Sequence, residues 1–258
     1  MNHKSIILSL PFAFNSILNA NAVEKPNILI INIDDLGWKD VGFMGSSYYE
    51  TPNIDSLSKN GMIFTNGYSS AANCAPSRAC LMTSQYTPRH GIYTVDNSDR
   101  GESKNRKLIP TPNKVFLDDN KITIAELLQS NGYKTCHIGK WHLGDDPKTQ
   151  GFDVNVGGAH YGAPSSYFSR YHNKALPDGA PGEYITDRLA NEAVNVLKNI
   201  GQQPFFMYYA TYAVHSPLQA KEEIIQKYKK KTGTEAQNNA TYAAMIESMD
   251  QSIGKLIK

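Results

Sequence analysis

The chain has 258 residues, 40% of them hydrophobic and 19% charged, which provides enough apolar material for a sizeable core. Its formal net charge of +2 argues against nucleic acid as the main partner. The three cysteines, Cys74, Cys80 and Cys136, do not make a disulfide framework. We expect the last two to be buried thiols.

Residues 1–22 have the pattern of a secretory signal peptide. Lys4 precedes an apolar stretch from Ile6 to Phe14, and Ala20-Asn21-Ala22 is a small-residue cleavage pattern. The apolar stretch is too short to span a bilayer. We therefore expect an exported protein, periplasmic or extracellular, without stable membrane insertion, whose folded part is residues 23–258.

The first predicted strand is the apolar, β-branched run from Asn27 to Ile33, which suits a strand buried on both faces. Asp34 and Asp35 follow it directly. In an open α/β sheet, ligands bind beyond the carboxyl ends of the strands, and two adjacent carboxylates suit a hard divalent cation. Taken alone, the same two residues could also form a simple turn.

A pentapeptide, Cys74–Arg78 (Cys-Ala-Pro-Ser-Arg), follows a short helix predicted between Thr51-Pro52 and Gly61. Residues four apart on a helix share a face, so Arg78 can reach residue 74. A residue at the N-terminal end of that helix also lies at its positive pole. Both effects favour an oxyanion at position 74 and an anionic substrate, although a plain helix start is the alternative.

Further along, Thr123 and Glu126 predict a capping box at the start of a helix. A strand beginning at Tyr133 then runs into the glycine-flanked string Gly-Lys-Trp-His-Leu-Gly. Lys140 and His142 in this string are two apart, so in an extended segment they would face the same side.

The remaining elements continue the alternation. A helix is predicted from Thr186 to Asn199, a buried strand from Pro204 to Ala210, and a last helix from Thr241 to Lys258, with His215 in the loop after the strand. Alternating strands and helices predict an α/β fold built on a mostly parallel sheet flanked by helices.

Two polar stretches are longer than the sheet needs, Thr94 to Lys121 and Gly157 to Gly182. Long loops hold function or disorder. Their basic and aromatic side chains, among them His160 and Tyr161, suit a sulfated sugar and border the substrate pocket in one interpretation. A solvated surface is the alternative.

In this order, the motifs resemble the sulfatase family, over most of Lys25 to Lys258. The resemblance implies a formylglycine-dependent, type I, arylsulfatase-like enzyme of the alkaline phosphatase superfamily. It implies oxidation of the cysteine by a formylglycine-generating enzyme, bound calcium, and a sulfated carbohydrate or aryl sulfate as substrate. The implied catalytic residues are Cys74, Arg78, Lys140, His142 and His215, and the implied metal ligands are Asp34, Asp35 and residue 74.

The resemblance also implies a mechanism. One hydroxyl of the hydrated aldehyde attacks the sulfur, and loss of a proton from the other re-forms the aldehyde and expels sulfate. His142 is the base for that second step and His215 the proton donor to the departing oxygen. Arg78 holds the formylglycine and, with Lys140, offsets the charge around the sulfuryl group.

In the family, a helix like the last one here is followed by further metal ligands and, later, by a lysine that binds sulfate. This sequence has no counterpart of those ligands or of that lysine. Calcium takes about six to eight oxygens, of which these residues supply about half. We therefore expect the amino-terminal portion of a sulfatase catalytic domain, truncated before the end of the main domain. By itself it would bind calcium weakly and hydrolyse sulfate esters poorly or not at all.

Truncation there would also remove whatever packs beyond the last helix. The stripe of Met245, Met249, Ile253 and Leu256 on the last helix would be exposed. One alternative function is a phosphoester or phosphonate hydrolase of the same superfamily. The other is an inactive chain that only binds sulfated glycans or a partner.

Overall fold

The computed structural model describes residues 24–258, so the predicted signal peptide at 1–22 lies outside the described residues. A four-stranded sheet has the strand order β1-β4-β2-β3, and all neighbouring strands are parallel. Its strands are β1 (Ile28–Asn32), β2 (Lys134–Gly139), β3 (Val154–Val156) and β4 (Phe205–Ala210). The predicted α/β fold with a mostly parallel sheet flanked by helices is confirmed.

Seven α-helices and three short 3-10 helices of the described chain connect and cover these strands. The predicted capping box is present, since the Thr123 hydroxyl accepts from the Glu126 amide and the Glu126 carboxylate accepts from the Thr123 amide. The α-helices are α1 (Pro52–Asn60), α2 (Cys74–Thr83), α3 (Thr87–His90), α4 (Ile124–Ser130), α5 (Ile185–Ile200), α6 (Glu222–Lys229) and α7 (Ala240–Leu256), and the 3-10 helices are Gly42–Met44, Ser103–Asn105 and Pro147–Gln150.

Each face of the sheet carries its own hydrophobic core. Met207 and Tyr209 of β4 join the larger core with residues of α5, α6 and α7, whereas Phe206 and Tyr208 join the smaller core with residues of α2. This alternation along β4 is the expected period of two. Cys80 and Cys136 are buried free thiols, as predicted.

The prediction that the stripe on α7 is exposed is wrong. Met245 and Met249 are fully buried, Ile253 is 1% exposed and Leu256 is 9% exposed. The reason is that α7 packs against α1, α5 and α6, so partners from within the described chain already cover this face.

The strand register brings three strand ends to one edge. Ala210, the last residue of β4, pairs with Asn32 of β1 and with Gly139 of β2. The residues that follow these three strands therefore emerge side by side. None of the helices in residues 24–258 is long and apolar enough to cross a membrane.

Candidate functional site

The two aspartates after β1 point into different environments. The Asp34 amide donates to the Ala213 carbonyl over 3.3 Å and the Asp34 carbonyl accepts from the Val214 amide over 2.8 Å, which fixes the backbone beside the extension of β4. The Asp34 side chain is 7% exposed. Asp35 has a φ of 57°, in the left-handed region, and its side chain is 57% exposed. The turn therefore leaves one buried and one accessible carboxylate.

Two buried cations converge on Asp34. Arg78 Nη2 lies 3.3 Å from Asp34 Oδ1, and Lys140 Nζ donates to Asp34 Oδ2. Both cationic side chains are almost wholly buried, at 2% and 0% exposure. Burial by itself would raise the pKa of Asp34, but the charges of Arg78 and Lys140 outweigh it, so the pKa lies below its usual value. The centre thus holds two buried cations against one buried carboxylate.

Residue 74 opens helix α2 beside these cations. Cys74 is the first residue of the helix and is half-buried. The preceding Asn73 makes no capping bond with its side chain, which instead donates to Thr94 Oγ1 over 2.9 Å. The first amides of the helix are therefore left free of a side-chain cap, with their positive pole at residue 74. The contact with Thr94 also brings the first long polar loop to this end of the helix.

Arg78, one turn into α2, is held by several acceptors. Its Nη1 donates to the Lys140 carbonyl over 2.7 Å and to the Tyr208 hydroxyl over 3.3 Å, in addition to the Asp34 contact of Nη2. A planar guanidinium with three fixed acceptors has one orientation. The buried Nε has no hydrogen-bond partner in the described chain.

A glycine lets the Lys140 segment enter the site. Gly139 has a φ of 101°, and a Cβ there would lie 2.0 Å from the Ala210 carbonyl oxygen. Only a residue without a Cβ can pass so close to β4. The next amide, that of Lys140, donates to the same carbonyl over 2.7 Å and directs the lysine inward. The strand ends at Gly139 and His142 has a φ of 64°, so Lys140 and His142 do not lie in one extended segment and the expectation that they would face the same side for that reason does not apply.

His142 is a buried, neutral imidazole. Burial, followed by the charges of Lys140 and Arg78, lowers its pKa to about 4. Its amide donates to the Ala159 carbonyl over 2.9 Å, and a Cβ at Gly162 would lie only 2.6 Å from the ring. The second long polar loop therefore encloses this histidine.

His215 completes a group of three possible metal ligands. Its Nε2 lies 3.6 Å from Asp35 Oδ2, and one ligand atom each of Asp34, Asp35 and His215 all fall within 4.8 Å of one another. Two carboxylates and an imidazole suit a divalent cation. The thiol of Cys74 is not part of this group. Its predicted role as a metal ligand concerns the oxidised residue and stays a prediction.

A supporting layer of polar side chains, not predicted from the sequence, lies behind Arg78. The side-chain amide of Asn32 in β1 donates from Nδ2 to the Tyr208 hydroxyl over 2.9 Å, and that hydroxyl also accepts from Arg78. In β2, His137 Nε2 lies 3.3 Å from the Lys140 carbonyl oxygen. The available signals were Asn32 in the otherwise apolar strand β1 and His137 within strand β2, because a buried polar side chain needs a partner.

Comparisons with known proteins show which family the chain resembles. The Sulfatase family model matches residues 26–258. N-acetylgalactosamine-6-sulfatase of Homo sapiens is 31% identical over 267 residues, covering 93% of this chain and 47% of that protein. A sulfatase of Formosa agariphila is 29% identical, covering 97% and 56%. The crystal structure of Ps i-CgsB in complex with k-i-k-neocarrahexaose is 36% identical with a TM-score of 0.70, covering 90% and 54%. The chain spans about half the length of these relatives.

Proposed function

The chain belongs to the sulfatase family, and from that premise we propose that it hydrolyses sulfate esters with residue 74 as the nucleophile. The observation that carries the proposal is the excess of buried positive charge beside Cys74. Arg78 and Lys140 are both buried, while Asp34 is the one buried carboxylate that they contact. An anionic group at the start of α2 would balance this charge, and a sulfate ester brings one.

The nucleophile we propose is formylglycine, formed from Cys74 by a formylglycine-generating enzyme. When present, the hydrated aldehyde supplies a hydroxyl for attack on sulfur without leaving a stable covalent ester. Cys74 suits this modification because its side chain is half-buried rather than enclosed, at the first position of the helix. Arg78, one turn later, orients the group at position 74.

The residues also fit a hard divalent cation, and we propose calcium. Asp34 and Asp35 would hold it. Their two carboxylates supply only part of the roughly six to eight oxygens that calcium takes. The bound cation would lower the pKa of a coordinated hydroxyl and so favour the nucleophile. Because the shell within this chain is partial, we propose that the chain alone binds calcium weakly and turns over slowly, if at all.

The two histidines would move protons at different steps. The lowered pKa of His142 keeps its imidazole neutral near pH 7, so it can accept the proton whose loss releases sulfate. His215 is more accessible, with 24% of its side chain exposed, and we assign it proton donation to the departing oxygen. Lys140 and Arg78 stabilise the charge on the sulfuryl oxygens.

The substrate we propose is a sulfated carbohydrate, handled by an exported bacterial enzyme. Two observations support the carbohydrate: the relatives include N-acetylgalactosamine-6-sulfatases, and Ps i-CgsB was solved with an oligosaccharide. The signal-peptide pattern at 1–22 supports export.

The test is sulfate release by chain matured with a formylglycine-generating enzyme, with calcium present, compared between wild type and Arg78→Gln. We expect Arg78→Gln to lower sulfate release by about a hundredfold, since it removes one of two charges aimed at the anion. Lys104→Gln, which removes an exposed positive charge with a 77% exposed side chain, is the matched control and should leave release unchanged. Measurable release that is equal in all three proteins would refute the proposal.

A further inference from the structure

Three side chains lie in the two segments that adjoin His142, and the mechanism uses none of them. They are Asp145, His160 and Tyr161, and we call them the rim. His160 Nδ1 lies 3.0 Å from Asp145 Oδ1, and the rings of His160 and Tyr161 lie with their centroids 4.3 Å apart. The rim therefore combines a carboxylate, an imidazole and a phenol in one cluster.

Both segments that carry the rim lie close to His142. Asp145 follows His142 by three residues, and the segment 159–162 contacts His142 through the Ala159 carbonyl and the backbone of Gly162. His160 and Tyr161 lie between those two contacts. The rim therefore lies on both of the segments that adjoin His142.

The base of the rim is rigidly held. Asp146 Oδ1 accepts from Asn155 Nδ2 over 3.0 Å, and Asn155 Oδ1 accepts from the Gly158 amide over 2.9 Å. These bonds link the segment after His142 to the segment before Ala159. Side chains placed on such a fixed base are preorganised for binding.

The chemistry of the rim differs from that of the buried centre. Arg78 and Lys140 are buried cations, whereas the Asp145 and His160 side chains are 78% and 46% exposed. A carboxylate and an imidazole hydrogen-bond to hydroxyl groups, and an aromatic ring packs against the apolar face of a sugar. An exposed carboxylate also repels a second anion.

Building on the proposed function, we infer that the rim is the subsite for the sugar ring that carries the sulfate being cleaved. The ring lies against Tyr161, and its hydroxyls bind Asp145 and His160. The sulfate itself lies on the buried cations. Because of the Asp145 carboxylate, the preferred ligand bears no second sulfate on that ring.

The test separates binding of the sugar from chemistry at residue 74. Calorimetric titrations use Cys74→Ala chain, which cannot turn over, with inorganic sulfate, a monosulfated disaccharide and the same disaccharide sulfated twice on one ring. Tyr161→Ala is the test variant. Tyr86→Ala is the matched control, since Tyr86 is 72% exposed and follows the end of α2 opposite to Cys74.

We expect Tyr161→Ala to weaken binding of the monosulfated disaccharide by about tenfold and binding of inorganic sulfate by less than about twofold. Tyr86→Ala should change neither. Asp145→Asn should reduce the ratio of the affinities for the singly and the doubly sulfated disaccharide by about fivefold. The reason is that it removes the repelling charge but keeps the shape of the side chain.

The proposed sugar subsite would be overturned if Tyr161→Ala weakened binding of sulfate and disaccharide equally, or weakened neither. It would also be overturned if no protein bound the disaccharide. Failure of the sulfatase proposal has another signature. In that case the disaccharide binds and Tyr161→Ala weakens its binding, but Cys74 stays an unconverted thiol after co-expression with a formylglycine-generating enzyme.

Discussion

At the scale of single residues, the site is an arrangement of charges that only burial makes effective. Arg78 and Lys140 would be worth little as exposed ion pairs with Asp34, but away from water their charges interact strongly. Tyr208 and Asn32 supply the neutral hydrogen bonds that hold Arg78 in place. These side chains come from four separate parts of the chain, namely β1 and its end, α2, the end of β2, and β4, so the fold must be complete before the charges meet.

His137 should make the stability of the protein depend on pH. Burial, followed by the charge of Arg78, lowers its pKa to about 3, below the ordinary 6.5. Between these values the unfolded chain binds a proton that the folded chain does not. The contribution of the neutral His137 to the stability is therefore fully present above about pH 6.5 and is lost as the pH falls toward 3.

The expected slope from this residue is about 1.4 kcal/mol of unfolding free energy per pH unit, well inside that window. Urea denaturation at pH 6, 5.5, 5 and 4.5 measures it. His137→Gln should give a shallower slope than wild type, whatever its effect on stability at neutral pH. Gln202→Asn, an exposed substitution that changes no titrating group, is the control and should keep the wild-type slope. Identical slopes for all three proteins would show that His137 takes up its proton in the folded state.

At the scale of elements, helices are tied together by side chains from far away in sequence. Asp250, in α7, is fully buried and accepts from the amides of Asn53 and Ile54 over 3.1 and 2.9 Å, and from the Asn53 side chain over 2.8 Å. It thereby caps the first turn of α1. Thr51, the residue at the capping position, makes no such bond with its side chain.

Asp250→Ala should therefore destabilise the protein by about 2–3 kcal/mol, because it leaves buried amides of α1 without an acceptor. The measurement is the urea midpoint at constant slope. Asp250→Asn keeps one acceptor oxygen and should lose less. A loss below about 0.5 kcal/mol in Asp250→Ala would mean that water satisfies these amides equally well.

Most of the elements could be predicted from sequence because their signals are local. The predicted bounds of α1, α5, β4 and α7 lie within one or two residues of those observed, since apolar periodicity, caps and glycines act over a few positions. Asp250 gave no such signal. Its partner is 197 residues away, and only the packing of α7 on α1 brings the two together.

The site was predictable to the extent that motifs carry it. Asp34, Arg78 and Lys140 meet as a cluster, and His142 lies near enough to sense two of these charges. The proximity of His215 to both aspartates was not foreseen, nor was the support from Tyr208. Those contacts depend on register between strands, which no single segment of sequence specifies.

At the scale of the whole molecule, the exposed apolar surface lies elsewhere than predicted. It is a groove beside β1, which is an edge strand of the described sheet. Met62, Phe64 and Tyr68 at this groove are 79%, 77% and 87% exposed. A contiguous apolar surface beside a strand edge favours association.

We expect the chain to self-associate as its concentration rises, measured by light scattering. Phe64→Lys should shift the onset to higher concentration by about threefold or more, because it places a charge in the groove. Gln202→Lys adds the same charge at an exposed site outside the groove and should have a smaller effect. If the two variants behave alike, net charge and not the groove controls association.

The central claim, that residue 74 becomes the nucleophile for sulfate ester hydrolysis, is tested most directly by mass spectrometry of the tryptic peptide containing it. The chain is co-expressed with a formylglycine-generating enzyme, and sulfate release is assayed on the same preparation. We predict an aldehyde in place of the Cys74 thiol, with any sulfate release confined to converted protein and absent from Cys74→Ala. A thiol that stays unconverted in every preparation, or sulfate release by Cys74→Ala, would contradict the account.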